Sequence, residues 1–156
     1  MIARLRQRND ITACVRLLAS VHATDGYPTR WPADSSSWLT PDTLLGHIAL
    51  CGVRGDSAAS GWAVASGLPP ERMAEVARLF VAPDARGQGI GATLLETARS
   101  EADSRGLRPV LKVLERDRSA IALYERLGWR RVATIRAPWV VARDNEALLH
   151  FYLAPE

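Results

Sequence analysis

Residues 75–92 read Glu75-Val-Ala-Arg-Leu-Phe-Val-Ala-Pro-Asp-Ala-Arg-Gly-Gln-Gly-Ile-Gly-Ala92. A strand-like run ends at Pro83, a turn follows, and Gly87, Gly89 and Gly91 alternate where a helical pattern begins. Glycine lets a backbone turn tightly and approach a ligand closely. The first turn of a helix carries N–H groups with no partner inside the helix, together with partial positive charge. These features make a cradle for phosphate oxygens, and Arg86 at its mouth adds a charge that pairs with them. The stretch is expected to bind a phosphorylated ligand.

Three glycine-rich phosphate loops compete for this reading. A P-loop needs a lysine after its glycines, and none follows here. A dinucleotide fingerprint needs G-x-G-x-x-G after an early strand, whereas this chain reads G-x-G-x-G in mid-sequence. The order Arg86, Gly89, Gly91 follows R-x-x-G-x-G/A and resembles the pyrophosphate loop of the GNAT superfamily of acyl-CoA-dependent acyltransferases. A second stretch, Asp117-Arg-Ser-Ala-Ile-Ala-Leu-Tyr-Glu-Arg-Leu-Gly-Trp129, resembles that family's other hallmark, N-x-x-A-x-x-L-Y-E-x-x-G-F/W. About one helix plus one strand separates the two, which is also the family's spacing. The resemblance extends less specifically from Ile2 to Leu153. The bland alternative is a glycine-rich turn without a ligand.

Length and composition set wider bounds. A chain of 156 residues is expected to form one domain, residues 1–156, with a core of its own. Hydrophobic content of 47% and charged content of 24% are ordinary for a soluble globular protein. Of the 20 Lys and Arg residues, Lys112 is the single lysine, a skew expected from GC-rich coding. The arginines are scattered among acids, so the net charge of +3 does not mark a nucleic-acid surface, although it suits an anionic cofactor. Cys14 and Cys51 lack metal-ligand spacing and read as small core residues, and the three histidines do not cluster, so no metal is expected. No apolar run approaches the ~18 residues a bilayer needs. A cytoplasmic protein without a membrane partner is expected, either monomer or homodimer.

Periodicity supplies the element order. Residues 2–7 alternate as a strand, and Asp10 caps a helix with Ile11, Cys14, Val15, Leu18 and Val21 on one face. Residues 23–40 read as a long loop, and Thr40-Pro41 starts a short helix to about His47. Ile48–Arg54 and Ala58–Gly67 read as a hairpin, and residues 74–82 as the strand feeding the glycine loop. A helix spans Ile90–Arg105, then a strand Val110–Leu114, a helix 118–127 capped by Asp117, and closing strands Trp129–Arg136 and Ala147–Leu153. The order β-α-α-β-β-β-α-β-α-β-β gives an α/β (α+β) fold. Its mixed, mostly antiparallel sheet has about seven strands with helices on both faces.

The resemblance also implies chemistry. Acetyl-CoA is the expected co-substrate, bound by Arg86, Gly87, Gln88, Gly89, Gly91 and Ala92 through its diphosphate. Backbone around Leu79 and Val81 would pair with the pantetheine arm like a partial strand. Glu75 stands on the entering strand where relatives place a catalytic glutamate, and is the candidate base, acting directly or through water. Tyr124 is the candidate acid near the CoA sulfur, with a core aromatic as its bland reading. Asp117 replaces the family's asparagine and cannot donate hydrogen bonds when ionised, so Ser119 is a candidate substitute on the pantetheine arm. Asp25, Tyr27, Trp31, Trp62 and Trp139 are candidates to hold a small-molecule amine acceptor by charge and cation–π attraction. Pinning a loop to the core is the alternative for the tryptophans. The expected activity is direct N-acetylation of an amine; the alternative is a non-catalytic acyl-CoA-binding module.

Overall fold

The computed structural model describes residues 7–28, 30–39, 43–45, 48–52, 67–137 and 147–156, with backbone alone for 43–45 and 48–52. The chain packs as two compact units, one from residues 1–51 and 76–100, the other from 52–75 and 101–156.

In the first unit, helix α1 spans Ile11–Asp25. Its helical stripe buries Cys14, Leu18 and Val21 in a cluster completed by Leu39 and Phe80. Complete burial of Leu18 alone is worth about 2 kcal/mol relative to exposure. The expected aspartate cap takes another form. Asp10 closes a 3-10 turn, Arg8–Asp10, in which the Gln7 N–H donates to Asp10 Oδ2 at 2.7 Å. The helix ends at Gly26, whose φ of 71° turns the chain left-handed.

Two expectations change here. Within the stretch read as a loop, α2 covers Ser35–Trp38, started by Asp34, which accepts from the Ser37 N–H at 3.1 Å. Asp-Ser-Ser-Ser is a cap signal that absence of periodicity had hidden. The helix expected from Thr40 to His47 is instead interrupted by β1, Thr43–Leu45, which pairs antiparallel with β2, Ile48–Gly52. Cross-strand pairing overrides the local Thr-Pro helix signal over so short a segment. The expected strands 2–7 and Ala58–Gly67 fall almost wholly outside the described residues.

Strand β3 is shorter than its pattern. It covers Met73–Ala77 rather than 74–82, because Arg78 adopts φ 54°, a left-handed conformation rare for a side-chain-bearing residue. Arg78 is held there by Trp38: its guanidinium carbon lies 4.5 Å from the indole centroid, and Nε donates to the Trp38 carbonyl at 3.1 Å. Alternation along the strand therefore stops before Leu79 and Val81. Helix α3 spans Ile90–Ser104 and buries Leu94, Leu95, Ala98 and Ala102, as its spacing predicts.

The second unit holds a four-stranded mixed sheet with helix α4, Arg118–Arg126. Strand β3 runs parallel to β4, Arg108–Leu114, with Glu75 opposite Val110. Strand β6, Leu148–Leu153, lies between β4 and β5, Arg130–Arg136, antiparallel to both. All of β6 but Leu148 is buried, which explains its nearly unbroken apolar run. A register shift between Arg131 and Ala133 bulges β5. One face carries the core of Met73, Val110, Leu114, Leu149, Phe151 and Leu153. Of the seven strands expected, five lie wholly or partly among the described residues, and β1 adds one where a helix was expected.

Phe151 is fully buried at the centre of this core. Phe151→Ala is expected to lower unfolding free energy by about 3–5 kcal/mol, read from the urea midpoint. A loss under ~1 kcal/mol would contradict this packing.

Candidate active site

The glycine loop lies in the first unit. A 3-10 turn, Pro83–Ala85, leads to Arg86, and Gly87 and Gly89 then take φ of 77° and 78°. Nothing lies within 4 Å of the Cβ position at either glycine, so the requirement for glycine is conformational rather than steric. Any other residue there would cost about 1–2 kcal/mol of backbone strain. The Gly89 carbonyl accepts from the Thr93 N–H and from Thr93 Oγ1, each at 3.0 Å, which sets the start of α3. The N–H groups of Ile90, Gly91 and Ala92 consequently have no acceptor within the helix. Gln88 and both left-handed glycines are exposed beside them.

Arg86 is engaged within the protein. Its Nη2 forms a short ion pair with the Asp25 carboxylate, and Nε and Nη2 each lie 3.3 Å from the Val81 carbonyl. Asp25, expected among the acceptor residues, therefore serves the glycine loop in this state. Around it, Tyr27 and Trp38 pack edge to face at 6.2 Å and lie against the α1 cluster, with Arg78 over the Trp38 ring. Pinning is thus the role seen for Trp38. Trp31 remains 39% exposed with its ring 5.4 Å from His22. Trp62 and Trp139 lie outside the described residues.

The second unit carries the candidate proton-handling groups. Glu75 on β3 is 14% exposed, and Lys112 Nζ lies 3.5 Å from its Oε1. Tyr124 on α4 is 7% exposed, with its ring 6.1 Å from Tyr152 and 6.4 Å from Trp129. The Trp129 indole N–H is buried without a partner among the described residues. The Tyr152 hydroxyl donates to Glu125 Oε1 at 2.8 Å and accepts from Arg131 Nη2 at 2.9 Å. Burial pushes the Tyr152 phenol up from its usual range. Asp117 precedes α4 without capping it through its side chain, and Ser119 is exposed on the first turn.

The sequence motifs missed this Tyr152–Arg131–Glu125 group, because its members come from β6, β5 and α4. The same holds for His150, buried on β6, whose Nδ1 lies 2.8 Å from Thr134 Oγ1 while Nε2 bonds Glu115. Among the described residues no group of three or more His, Cys, Asp or Glu is placed to hold a metal ion. No helix among them is long and apolar enough to cross a membrane.

The hydrogen bond from His150 holds the Glu115 carboxyl below its usual value of 4.5. A depressed carboxyl pKa contributes stability that is present above the unfolded value and lost as pH falls through the folded one. Glu115→Gln is therefore expected to be less stable than the parent at neutral pH. The gap should close as pH drops below about 4.5, as measured by denaturant titration at several pH values. A gap independent of pH would count against it.

The model of the acetyltransferase (GNAT) family matches residues 13–129. The mycothiol acetyltransferase of Geodermatophilus obscurus is 40% identical over 75 residues, covering 47% of this chain and 24% of the relative. An uncharacterized N-acetyltransferase of Methanocaldococcus jannaschii is 38% identical over 72 residues, covering 46% and 32%. The matched stretch thus spans a third or less of the length of these curated relatives. The structure of the ribosomal-protein-S18-alanine N-acetyltransferase from Escherichia coli superposes with a TM-score of 0.65 at 19% identity, covering 99% of this chain and 92% of that one. At that identity the likeness is one of fold.

Proposed function

This chain belongs to the GNAT acetyltransferase family, and from that premise we propose that it transfers the acetyl group of acetyl-CoA directly to a primary amine. The observation that carries the reading is the start of α3. The Arg86 guanidinium, left-handed Gly87 and Gly89 and the first-turn N–H groups of residues 90–92 supply the positive charge and donors that a diphosphate would use. An incoming diphosphate competes with Asp25 for Arg86, and charge favours the ligand because two phosphates carry more of it than one carboxylate.

The donor's thioester then meets two proton problems. An alkyl amine has a pKa near 10.4, so on the order of one molecule in a thousand is nucleophilic at neutral pH. Glu75 takes the proton, directly or through water, from a half-buried position on β3. The amine attacks the carbonyl carbon, and collapse of the tetrahedral intermediate expels the CoA thiolate. Tyr124 supplies the proton the sulfur needs. The Leu79–Val81 backbone, beyond the end of the β3 ladder, is suited to pair with the pantetheine amides. Neither thiol is assigned a covalent role.

The acceptor is an amine, and Trp31, an exposed aromatic among the described residues, would meet a cationic one by cation–π attraction. The Escherichia coli neighbour takes its name from a protein alanine, so a screen needs alanine-starting peptides beside small amines. Acetyl-CoA-dependent release of CoA thiol across that screen tests the reading. Glu75→Gln is expected to lower kcat about a hundredfold at neutral pH. Tyr124→Phe is expected to lower kcat with acetyl-CoA affinity nearly kept, and Arg86→Ala to weaken CoA binding about tenfold. CoA binding in thermal-shift titrations without thiol release from any amine would favour a binding module. Stabilisation by NAD or ATP instead of CoA would overturn the proposal.

A further inference from the structure

The Glu75–Lys112 pair sets the chain's own amine beside the residue read as the base. Lys112 projects from β4 two residues beyond Val110, the register partner of Glu75, and its Nζ lies 3.5 Å from Glu75 Oε1. At 32% and 14% exposure, both side chains reach solvent. Every other basic side chain on strands and helices here is arginine or histidine, since Lys112 is the single lysine. A guanidinium does not deprotonate in proteins and cannot act as an acyl acceptor, whereas an ammonium with an adjacent carboxylate can.

We propose that Lys112 is a self-acetylation site, its ε-amine accepting the acetyl group of acetyl-CoA with Glu75 as proton acceptor. This inference rests on the proposed roles of Glu75 and the donor. The Lys112 ammonium gives one proton to Glu75, and the neutral nitrogen attacks the thioester carbonyl. The C–N bond forms and the C–S bond breaks. The nitrogen sheds a second proton; of the two, one ends on the departing CoA sulfur and one passes to solvent. The product amide is uncharged, so acetylation ends the ion pair and leaves Glu75 without this cation.

The test incubates the full chain with isotopically labelled acetyl-CoA and maps the label by peptide mass spectrometry, which separates Lys112 from the α-amine. Label at Lys112 approaching one acetyl per chain is expected. Glu75→Gln should slow its appearance about a hundredfold, and Lys112→Arg should abolish it. Equal labelling rates in the parent and Glu75→Gln, or in folded and urea-unfolded chain, would mean chemical acylation and overturn the proposal. Thiol release with added amines but an unlabelled Lys112 would overturn this inference alone. Failure to bind CoA or acetylate any amine would overturn both it and the proposed function.

Discussion

Two left-handed glycines decide where α3 begins, and that decision governs what the loop offers a ligand. With φ near 78° at Gly87 and Gly89, the chain reverses hand twice within three residues before entering fifteen residues of helix. Had the helix begun a residue earlier or later, a different set of N–H groups would face outward. Thr93 fixes the choice by closing two hydrogen bonds on one carbonyl. The positive end of the helix macrodipole is thus located by backbone conformation, with side chains adding charge around it.

Charges around this loop are balanced internally while no ligand competes. Asp25 is the last residue of α1, where the helix end is partially negative and a carboxylate is disfavoured. Arg86 relieves that repulsion, and since both partners are more than a third exposed, the pair is worth about 0–1 kcal/mol. Such a pair keeps the guanidinium positioned without holding it tightly. Arg78 differs: it stacks on Trp38 and bonds its carbonyl, which offsets the strain of a left-handed arginine. Arg86 sits in a weak, exposed pair, whereas Arg78 is committed to the end of β3.

Local pattern reached as far as local physics decides. The α1 stripe, α3 with its buried Leu94, Leu95 and Ala98, and the glycine stops at Gly106 and Gly128 all obey periodicity and handedness. Pairing decided the rest. Thr43–Leu45 joins a strand because Ile48–Gly52 pairs with it, against a nearby helix signal. The break at Arg78 depends on Trp38, forty residues away, and no window of sequence contains both. The candidate site divides in the same way. Arg86, the glycines, Glu75 and Tyr124 stand in contiguous motifs, whereas the Asp25, Lys112 and Tyr152 contacts arise only when distant segments meet.

The place of β6 between β4 and β5 has a consequence for how the second unit is built during synthesis. Strands β4 and β5 do not hydrogen-bond each other; β4 has β3 on one side, and both take as a partner β6, which is translated after them. A nascent chain that has emerged only through β5 holds two unsatisfied strand edges, the kind of surface that recruits other chains. The β5–β6 pair joins consecutive strands, whereas the β4–β6 pair closes a loop from Leu114 to Leu148, and such non-local closure slows folding relative to a meander of neighbouring hairpins. The sheet is completed by insertion rather than by growth from one side, so the facing edges of β4 and β5 stay open until β6 is available.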